Sequence, residues 1–256
     1  MVPRCCTIAG SDSGGGAGIQ ADLKAFAAAG CYGMSAIVAL TAQNTRGVTA
    51  VHEVPPVFVR AQLDAVFSDI GIDAAKTGML FSRAVIETVA AFLAEHPVPL
   101  VVDPVMVASS GAKLLQDDAV EALVTRLFPL ATVVTPNLNE AEALAGRGGR
   151  RRELAKRIHR LGAAAVIVTG GHGEEPVDHL FDGVRHVEIP VERHDVAATH
   201  GAGCTHSATL AAELAKGAAL EEAARTAARV ASGAVRNGLV ELGAGDGPVD
   251  VLGLSA

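Results

Sequence analysis

The chain has 256 residues, half of them hydrophobic, and its formal net charge is −7 at pH 7. This length is enough for one large α/β core, whereas the acidic balance argues against nucleic acid as the main partner. No apolar run approaches the ~20 residues of a membrane span, and no signal-peptide pattern is present. We therefore expect residues 1–256 to form a single cytoplasmic domain without a nucleic-acid or membrane partner.

Short apolar runs alternate along the chain with longer patterns of helical spacing. Strands are predicted over residues 6–9, 35–39, 100–102, 132–134 and 166–168, and helices over 19–29, 58–70, 82–95, 117–128 and 151–161. Ser82 and Asp117 are plausible helix N-caps. The strand runs are continuously apolar, which is typical of a sheet covered on both faces. The alternation predicts a mainly parallel sheet with right-handed crossovers.

Three further segments have distinct patterns. Residues 48–54 interleave polar and apolar residues and are predicted to form an edge strand or flap. Asp182 and Gly183 separate two strand-like runs, which predicts a β-hairpin. Residues 203–239 read as two alanine-rich helices. The basic cluster at residues 147–160 falls on a helical pattern and is interpreted as a solvated helix face.

The first strand runs into a loop, residues 10–18, that contains five glycines. Glycine lets the backbone approach a ligand closely, and ligands of open parallel sheets bind outside the carboxyl ends of the strands. The spacing fits neither the dinucleotide fingerprint nor the Walker loop. The alternative is a merely flexible turn.

Two polar side chains near this loop are candidate ligands for a substrate. Gln43 follows the second strand, and its amide offers a donor and an acceptor side by side. That pair suits a heteroaromatic ring with an amino group next to a ring nitrogen. An exposed loop amide is the alternative for Gln43. Asp22 either faces the pocket or is solvated beside Lys24.

Later strand ends carry further candidates. Asp103 ends one strand and Glu140 follows the next, so the two carboxylates are candidate partners of Mg²⁺ and its waters. Glu140 also reads as an ordinary acid in a first helical turn. Thr169, Gly170 and Gly171 follow the strand over residues 166–168, where two glycines admit a nucleotide. A plain strand exit is the alternative there.

The segment over residues 201–206 is the most informative in the chain. Gly201, Ala202 and Gly203 leave the backbone bare where a loop enters an apolar helix, and a bare helix N-terminus binds anions. Cys204 follows, and the helix field should favour its thiolate. The segment therefore predicts a cradle for a phosphoryl group with a titratable side chain beside it.

The remaining cysteines and the histidines give no metal signal. No metal-ligand or disulfide spacing links Cys5, Cys6, Cys31 and Cys204. Cys5 and Cys6 should point to opposite faces of a strand, and the first three cysteines are expected to be small buried hydrophobes. Packed or solvated side chains are expected for His172, His200 and His206.

Together these segments resemble the ribokinase-like superfamily, and within it the hydroxymethylpyrimidine/phosphomethylpyrimidine kinases of thiamine biosynthesis. The resemblance rests on residues 7–12, 15–24, 42–48, 76–80, 135–141 and 200–205. It implies a three-layer α/β/α sandwich with a mainly parallel central sheet and small flap strands. It also implies ATP-dependent phosphorylation of a small-molecule pyrimidine and then of its monophosphate, with Mg²⁺, by a homodimer.

The resemblance also implies roles for individual residues. Gln43 matches a glutamine that binds the pyrimidine edge, and other matching positions line the substrate pocket: Gly10, Ala17, Asp22, Met79 and Val105. Cys204 matches the position of the catalytic base, and the backbone of Ala202, Gly203 and Cys204 forms the anion hole. Gly201 precedes it and is counted with the catalytic segment. The nucleotide side matches Asn137, Thr169, Gly171 and Thr205. Asp103 and Glu140 match polar positions near the metal.

Three departures from the family pattern stand out. Many relatives have lysine where this chain has Thr169, so one phosphate-neutralising charge is missing, and Asp103, Arg46 or a metal are candidates to compensate. Ala202 replaces a common threonine, which should spare the backbone amides. The connection over residues 146–150 is short. The nearest alternative function is that of a pyridoxal kinase, and a non-catalytic pyrimidine-binding protein is a second alternative.

Overall fold

A computed structural model describes residues 1–107, 114–116, 118–171 and 175–255. Its strands are β1 (Arg4–Asp12), β2 (Tyr32–Asn44), β3 (Gly47–Glu53), β4 (Ala74–Thr77), β5 (Leu100–Val102), β6 (Val133–Val134), β7 (Val166–Val168), β8 (Val177–Phe181) and β9 (His186–Pro190). Its α-helices are α1 (Gly18–Ala28), α2 (Pro56–Asp69), α3 (Arg83–Glu95), α4 (Ala119–Ala122), α5 (Leu138–Ala145), α6 (Arg151–His159), α7 (Ala202–Ala215) and α8 (Leu220–Arg236).

Within the described ranges the strands form one sheet in the order β3-β2-β1-β4-β5-β6-β7-β8-β9. The strands from β2 to β7 are parallel, and β3, β8 and β9 pair antiparallel at the two edges. The predicted edge strand and the predicted hairpin are therefore both confirmed. Because β1 pairs with β2 and β4, the glycine-rich loop leaves the middle of the sheet.

Helices cover both faces of the sheet. One core contains side chains of α2, α3 and α6, such as Leu63, Val89 and Leu154. The other contains side chains of α1, α7 and α8, such as Phe26 and Ala211. The predicted three-layer α/β/α architecture with a mainly parallel sheet is confirmed. In the ranges that the structure describes, no helix is both long and apolar enough to span a bilayer.

Most predicted elements occur, with two informative differences. Strand β4 escaped prediction because Lys76 interrupts its apolar run, yet all four of its residues are buried. The helix predicted over residues 117–128 is α-helical only in α4, and it continues as a π-turn (Leu123–Leu127) and a 3₁₀ turn (Phe128–Leu130). The proposed cap Asp117 lies outside the described residues.

The other local predictions are confirmed. The side chain of Ser82 accepts a hydrogen bond from the backbone N–H of Val85 and so caps α3. Cys5 and Cys6 are buried in the cores on opposite faces of β1, and Cys31 is buried as well. The two alanine-rich helices are α7 and α8. Since the parallel strands all end at one edge, that edge gathers the loops that hold the predicted site residues.

Candidate active site

Helix α7 begins directly against the glycine-rich loop. Gly201 caps the helix with φ +87°, and a Cβ atom placed on it would lie 1.9 Å from the carbonyl oxygen of Gly16. Only glycine fits this approach, because the left-handed conformation and the contact both exclude a side chain. A Cβ atom on Gly203 would meet nothing within 4 Å. The helix N-terminus is therefore open, and the two glycine segments meet.

The carboxylate of Asp12 organises the glycine-rich loop. Its Oδ1 accepts a hydrogen bond from Gly14 N at 2.7 Å, and its Oδ2 accepts bonds from Gly16 N at 3.0 Å and Ala17 N at 2.9 Å. Burial favours a higher pKa for Asp12, but the bonds from His200 and these amides outweigh it and lower that pKa. Asp12 thus acts as an internal anion that fixes the loop in front of α1.

Gln43 lies at the end of β2 on the same edge. Its side-chain amide is 3.0 Å from Thr41 Oγ1 on one side and 3.4 Å from His200 Nε2 on the other. The neighbouring wall is tight, because a Cβ atom on Gly10 would lie 2.2 Å from Met79 Cε. The predicted pocket positions Gly10, Ala17, Gln43 and Met79 therefore belong to one region around the glycine-rich loop. The alternative in which Gln43 is merely an exposed amide is not supported.

A buried ion pair underlies this region. Lys76 Nζ lies 2.8 Å and 3.0 Å from the two carboxylate oxygens of Asp22, and neither side chain is exposed. Thr7 Oγ1 donates a further bond to Asp22. Lys76 Nζ is also 3.9 Å from Asp103 Oδ2. Asp22 is thus not solvated beside Lys24, and its carboxylate is engaged below the pocket.

The environment of Cys204 overturns one expectation. We predicted that the N-terminus of α7 lowers the pKa of this thiol. Instead, burial raises the pKa of Cys204 to about 12; the nearby charge of Lys76 works against the rise, and the carboxylates of Asp22 and Asp103 add to it. The helix-field argument failed because it did not include the two carboxylates and the loss of water. Cys204 is therefore a neutral thiol near pH 7.

Asp103 and Glu140 form the acidic part of the site. Ser207 Oγ donates a 2.9 Å hydrogen bond to Asp103 Oδ2. Glu140 and Asn137 form a capping box at the start of α5, with both bonds at 3.0 Å. Burial and the repulsion from Asp103 raise the pKa of Glu140 to about 8. The first-turn position of Glu140 in a helix is therefore confirmed, and its carboxylate lies near enough to Asp103 for the two charges to repel each other.

Two mutually repelling buried carboxylates are a donor set that suits a divalent cation. Magnesium prefers one or two carboxylates and keeps waters or phosphate oxygens in its other positions. In keeping with this, no group of three or more histidine, cysteine or acidic ligands occurs among the described residues. The residues Asp103 and Glu140 thus fit Mg²⁺ held jointly with a nucleotide, and they do not fit an all-protein metal cage.

The loop after β7 is fixed by charged side chains. Arg193 donates two bonds to the carbonyl of Gly170, at 3.1 Å and 2.5 Å, and Arg151 donates one to that of Thr169 at 3.2 Å. Asp178 accepts a bond from Gly170 N. A Cβ atom on Gly171 would meet nothing within 4 Å. Two arginines thus flank the position where Thr169 lacks the lysine of many relatives.

This arrangement changes the interpretation of the basic cluster at one residue. Most basic side chains of the cluster are exposed as predicted, namely Arg147, Arg150, Arg152, Lys156 and Arg160. Arg151 is the exception, because it is 4% exposed and does not belong to the solvated helix face. Arg46, which we considered as a compensating charge, is exposed, whereas Arg151 and Arg193 approach the loop itself. Little in the sequence indicated that Arg193 lies near Thr169. Arg193 follows β9, 24 positions after Thr169, and no motif surrounds it.

The structure brings most of the predicted residues to one edge of the sheet. Thr205 is fully buried in the first turn of α7, and Val105 follows Asp103 in the next loop. Asp12 and His200 were missed as site residues. An aspartate within a glycine-rich loop is a known turn signal, but nothing local in the sequence indicates its bond to His200. His172 and the segment 108–111 lie outside the described residues.

Comparison with known proteins is unambiguous at the level of family. A family model described as phosphomethylpyrimidine kinase matches residues 12–250. The chain is 52% identical to a hydroxymethylpyrimidine/phosphomethylpyrimidine kinase of Rhizobium meliloti, with 97% of each chain covered. It is also 52% identical to the thiamine biosynthesis bifunctional protein ThiED of Geobacter sulfurreducens. That match covers 95% of this chain but 51% of the longer protein, so the chain spans about half of it.

A solved structure gives the same picture of the fold. The ADP complex of Bacillus subtilis pyridoxal kinase superposes with a TM-score of 0.90 at 41% identity, covering 99% of both chains. The glycine-rich loop, the N-terminus of α7 and the loop after β7 are thus set on a scaffold shared with a protein that binds a nucleotide.

Proposed function

Because the chain belongs to the phosphomethylpyrimidine kinase family, we propose that it phosphorylates 4-amino-5-hydroxymethyl-2-methylpyrimidine and then the resulting monophosphate, as a step of thiamine biosynthesis. Family membership makes the chain an ATP-dependent kinase. The observation that carries the choice of site is the contact between Gly16 and Gly201. It sets an open helix N-terminus beside the loop that holds the pocket, so a donor phosphate and an acceptor ring meet there.

We propose that the N-terminus of α7 receives the transferred phosphoryl group. The backbone N–H groups of Gly203 and Cys204 belong to the first turn of the helix and have no partner within it, whereas that of Ala202 donates to the carbonyl of Thr199 at 3.0 Å. Together with the helix dipole they favour the negative charge that spreads over the phosphoryl oxygens. Since Gly203 faces open space, a tetrahedral group fits without displacing a side chain. Positioning and electrostatics supply most of the catalysis in this scheme.

Cys204 is the proposed partner of the acceptor hydroxyl. The thiol of Cys204 is protonated near pH 7 and cannot accept a further proton. It therefore orients the substrate hydroxyl and does not deprotonate it before the reaction. The hydroxyl proton then leaves late, once the bond between oxygen and phosphorus is forming. For Cys204 to act as the base, its pKa would have to fall during turnover, so that a thiolate forms and accepts the hydroxyl proton. A pH profile of turnover separates these two roles.

The proposed metal residues are Asp103 and Glu140. Bound Mg²⁺ would supply charge neutralisation for the ATP phosphates. The chain's own contribution is to hold the two carboxylates at fixed positions: Ser207 orients Asp103, and the capping box with Asn137 orients Glu140. The predicted nucleotide residues remain Asn137, Thr169, Gly171 and Thr205. Arg151 and Arg193 hold the loop that carries Thr169 and Gly171.

The second phosphorylation needs a second pose of the substrate. The phosphate of the monophosphate must occupy the place that the hydroxyl held in the first step. We expect slack for this shift from β3 (Gly47–Glu53). The second segment expected to provide it, residues 105–111, lies partly outside the described residues. A variant that blocks only the second step would support this account.

One experiment tests the proposed function directly. The protein is incubated with Mg-ATP and hydroxymethylpyrimidine, and the monophosphate and pyrophosphate products are followed by mass spectrometry. We expect the monophosphate to appear first and then to be consumed. Consumption of ATP without either product would refute the proposal. Binding of the pyrimidine without consumption of ATP would instead favour the non-catalytic pyrimidine-binding protein.

A pyridoxal kinase is the second candidate, because the Bacillus subtilis pyridoxal kinase shares 41% of the sequence and nearly the whole fold. Pyridoxal also carries a hydroxymethyl group on a nitrogen heterocycle. The amide of Gln43 favours the aminopyrimidine instead, since its donor and acceptor match adjacent groups on that ring. Turnover of the two substrates, measured side by side, decides between them.

Three further properties remain proposals. A homodimer is expected from the family resemblance, and sedimentation of the purified protein tests it. A cytoplasmic location is consistent with four free cysteines, three of them buried. We also propose that the sheet with its two helical layers acts as one kinase domain over residues 1–256.

A further inference from the structure

A hydrogen-bonded pair stands between the glycine-rich loop and Gln43. His200 Nε2 lies 3.0 Å from Asp12 Oδ2 and 3.4 Å from the amide of Gln43. Asp12 is 3% exposed and already accepts three backbone N–H bonds, so its carboxylate acts only as an acceptor. His200 Nε2 must therefore carry a hydrogen and donate it to Asp12.

This assignment decides which atom of Gln43 faces His200. An N–H of Gln43 pointed at an N–H of His200 would place two donors against each other. The carbonyl oxygen of the amide suits this place, because it can face the one hydrogen that His200 Nε2 gives mainly to Asp12 at 3.0 Å, while the amide lies farther away at 3.4 Å. Because the two ends of a glutamine amide are told apart by their hydrogen bonds and not by shape, the group next to His200 is the carbonyl.

Thr41 gives the same answer from the other end of the amide. Its Oγ1 lies 3.0 Å from the carbonyl oxygen of Ser11 and 3.0 Å from the amide of Gln43. A hydroxyl has one hydrogen, and the carbonyl of Ser11 can only accept. The register of β1 against β2 shifts at Ser11, so the hydroxyl serves that carbonyl. Thr41 Oγ1 then accepts from the NH₂ group of Gln43.

We propose that Asp12 and His200 are positioning residues that fix the amide of Gln43, and that they make the pocket selective for a heterocycle with a hydrogen-bond donor and an acceptor on adjacent ring positions. This proposal rests on the proposed function. With its carbonyl toward His200, Gln43 still offers one lone pair and one N–H to the pocket. The aminopyrimidine satisfies the lone pair and the N–H together, because its exocyclic amino group is next to a ring nitrogen. Pyridoxal does not, because a methyl group lies between its ring nitrogen and its hydroxyl group.

The ring of His200 is held in place by its surroundings. A Cβ atom on Gly16 would lie 2.3 Å from His200 Cδ2, so the glycine-rich loop packs directly against the ring. The backbone of His200 bonds at both ends to the segment Gly247 to Val249. A side chain fixed on several sides presents one orientation to its partners, which is what a selective site needs.

The test uses variants of His200 and a matched control. His200→Phe keeps the ring but removes the N–H, and His200→Gln returns an N–H near the position of Nε2. His194→Phe is the control, because His194 bonds to Ser232 Oγ outside the site. For each protein, kcat and KM are measured for hydroxymethylpyrimidine and for pyridoxal, and binding of the pyrimidine is measured without ATP.

We expect His200→Phe to raise the KM and the dissociation constant for the pyrimidine about tenfold, as for one lost polar contact. The change in kcat should be much smaller, and the KM for pyridoxal should not move. His200→Gln should restore most of the preference, and His194→Phe should retain it. If the wild type phosphorylates the pyrimidine but His200→Phe keeps its preference, this inference is overturned while the proposed function stands.

A measurement on the unmodified protein covers the case in which His200→Phe does not fold. Long-range ¹H–¹⁵N spectra of the histidine rings report which nitrogen of His200 carries hydrogen. Protonated Nε2 supports the pair, and a bare Nε2 overturns it. If the wild type does not turn over the pyrimidine, the proposed function fails, and this spectrum with the binding measurement still decides the role of His200.

Discussion

The ammonium group of Lys76 lies 2.8 Å from a carboxylate oxygen of Asp22, and both side chains are completely buried beneath the pocket. A buried charge without its partner loses hydration and gains nothing in return. The pair therefore makes the floor of the site dependent on both residues at once. It also places a fixed positive charge near Cys204, which partly offsets the effect of burial on that thiol.

Lys76→Met should destabilise the protein by about 3–5 kcal/mol, because it leaves the carboxylate of Asp22 buried and unpaired. Urea unfolding measures the loss. Arg60→Met is the matched control, since Arg60 pairs with Glu95 at the surface, and it should cost about 1 kcal/mol or less. Equal losses in the two variants would contradict the buried pair as we describe it.

Gly201→Ala should abolish transfer and cost about 3 kcal/mol, because the methyl group meets the carbonyl of Gly16 at a backbone angle that disfavours alanine. Gly233→Ala is the control in the last turn of α8, where a Cβ atom meets nothing within 4 Å. It should gain about 0.5–1 kcal/mol. Thermal unfolding and turnover are measured on both. Normal turnover of Gly201→Ala would show that the two glycine segments need not touch.

Alkylation of Cys204 by iodoacetamide should be slow at pH 7 and should accelerate about tenfold per pH unit up to pH 10 without a plateau, because only the thiolate reacts. The raised pKa, about 12, sets this behaviour. Cys204 is half-buried and the other three cysteines are buried, so mass spectrometry should find one modified site in the folded protein. Urea-unfolded protein provides the control, with a plateau above pH ~8.5. A plateau near pH 7 in the folded protein would restore the thiolate hypothesis.

Cys204→Ser should retain the fold and lower kcat about 100-fold or more, since proton handling at the acceptor contributes that much in comparable sites. Cys31→Ser is the control for a buried cysteine away from the site: it should lose stability and keep its turnover. Steady-state kinetics and circular dichroism separate the two effects. Near-normal kcat in Cys204→Ser would remove this residue from the chemistry.

Glu140→Gln should change how stability depends on pH. The folded chain holds a proton on Glu140 up to about pH 8, whereas the unfolded chain releases it near the ordinary value of 4.5. Stability of the wild type therefore falls as pH rises through this window, by up to about 1.4 kcal/mol per pH unit. Glutamine keeps the capping box and carries no charge, so the variant should lose this slope. Urea unfolding in a chelator at several pH values measures it, and an unchanged slope would show that Glu140 ionises normally.

Much of the fold follows from local pattern. The continuous apolar runs predicted β5 and β7, and the Asp182-Gly183 turn predicted the hairpin of β8 and β9. Strand β4 did not follow, because Lys76 breaks the run and its partner Asp22 lies 54 residues away. A buried salt bridge between distant residues leaves no periodic signal.

The site shows the same limit. The glycines at residues 10–18 and 201–203 mark places where the backbone must stay bare, so they identify the cradle from sequence alone. The bond between Asp12 and His200 joins residues 188 positions apart and has no local signature. The pKa of Cys204 was predicted in the wrong direction because burial in the assembled fold raises it, and carboxylates from other segments add to the rise. Backbone requirements are visible locally, whereas electrostatic ones depend on the assembled fold.

The junction between Gly16 and Gly201 also has a consequence for synthesis of the protein. The ribosome makes the first glycine-rich segment long before the second. For most of translation the growing chain therefore contains only one of the two segments of the proposed phosphate site. No shortened product that stops before α7 closes the active centre. Messenger damage or stalling before α7 therefore yields fragments that lack this junction.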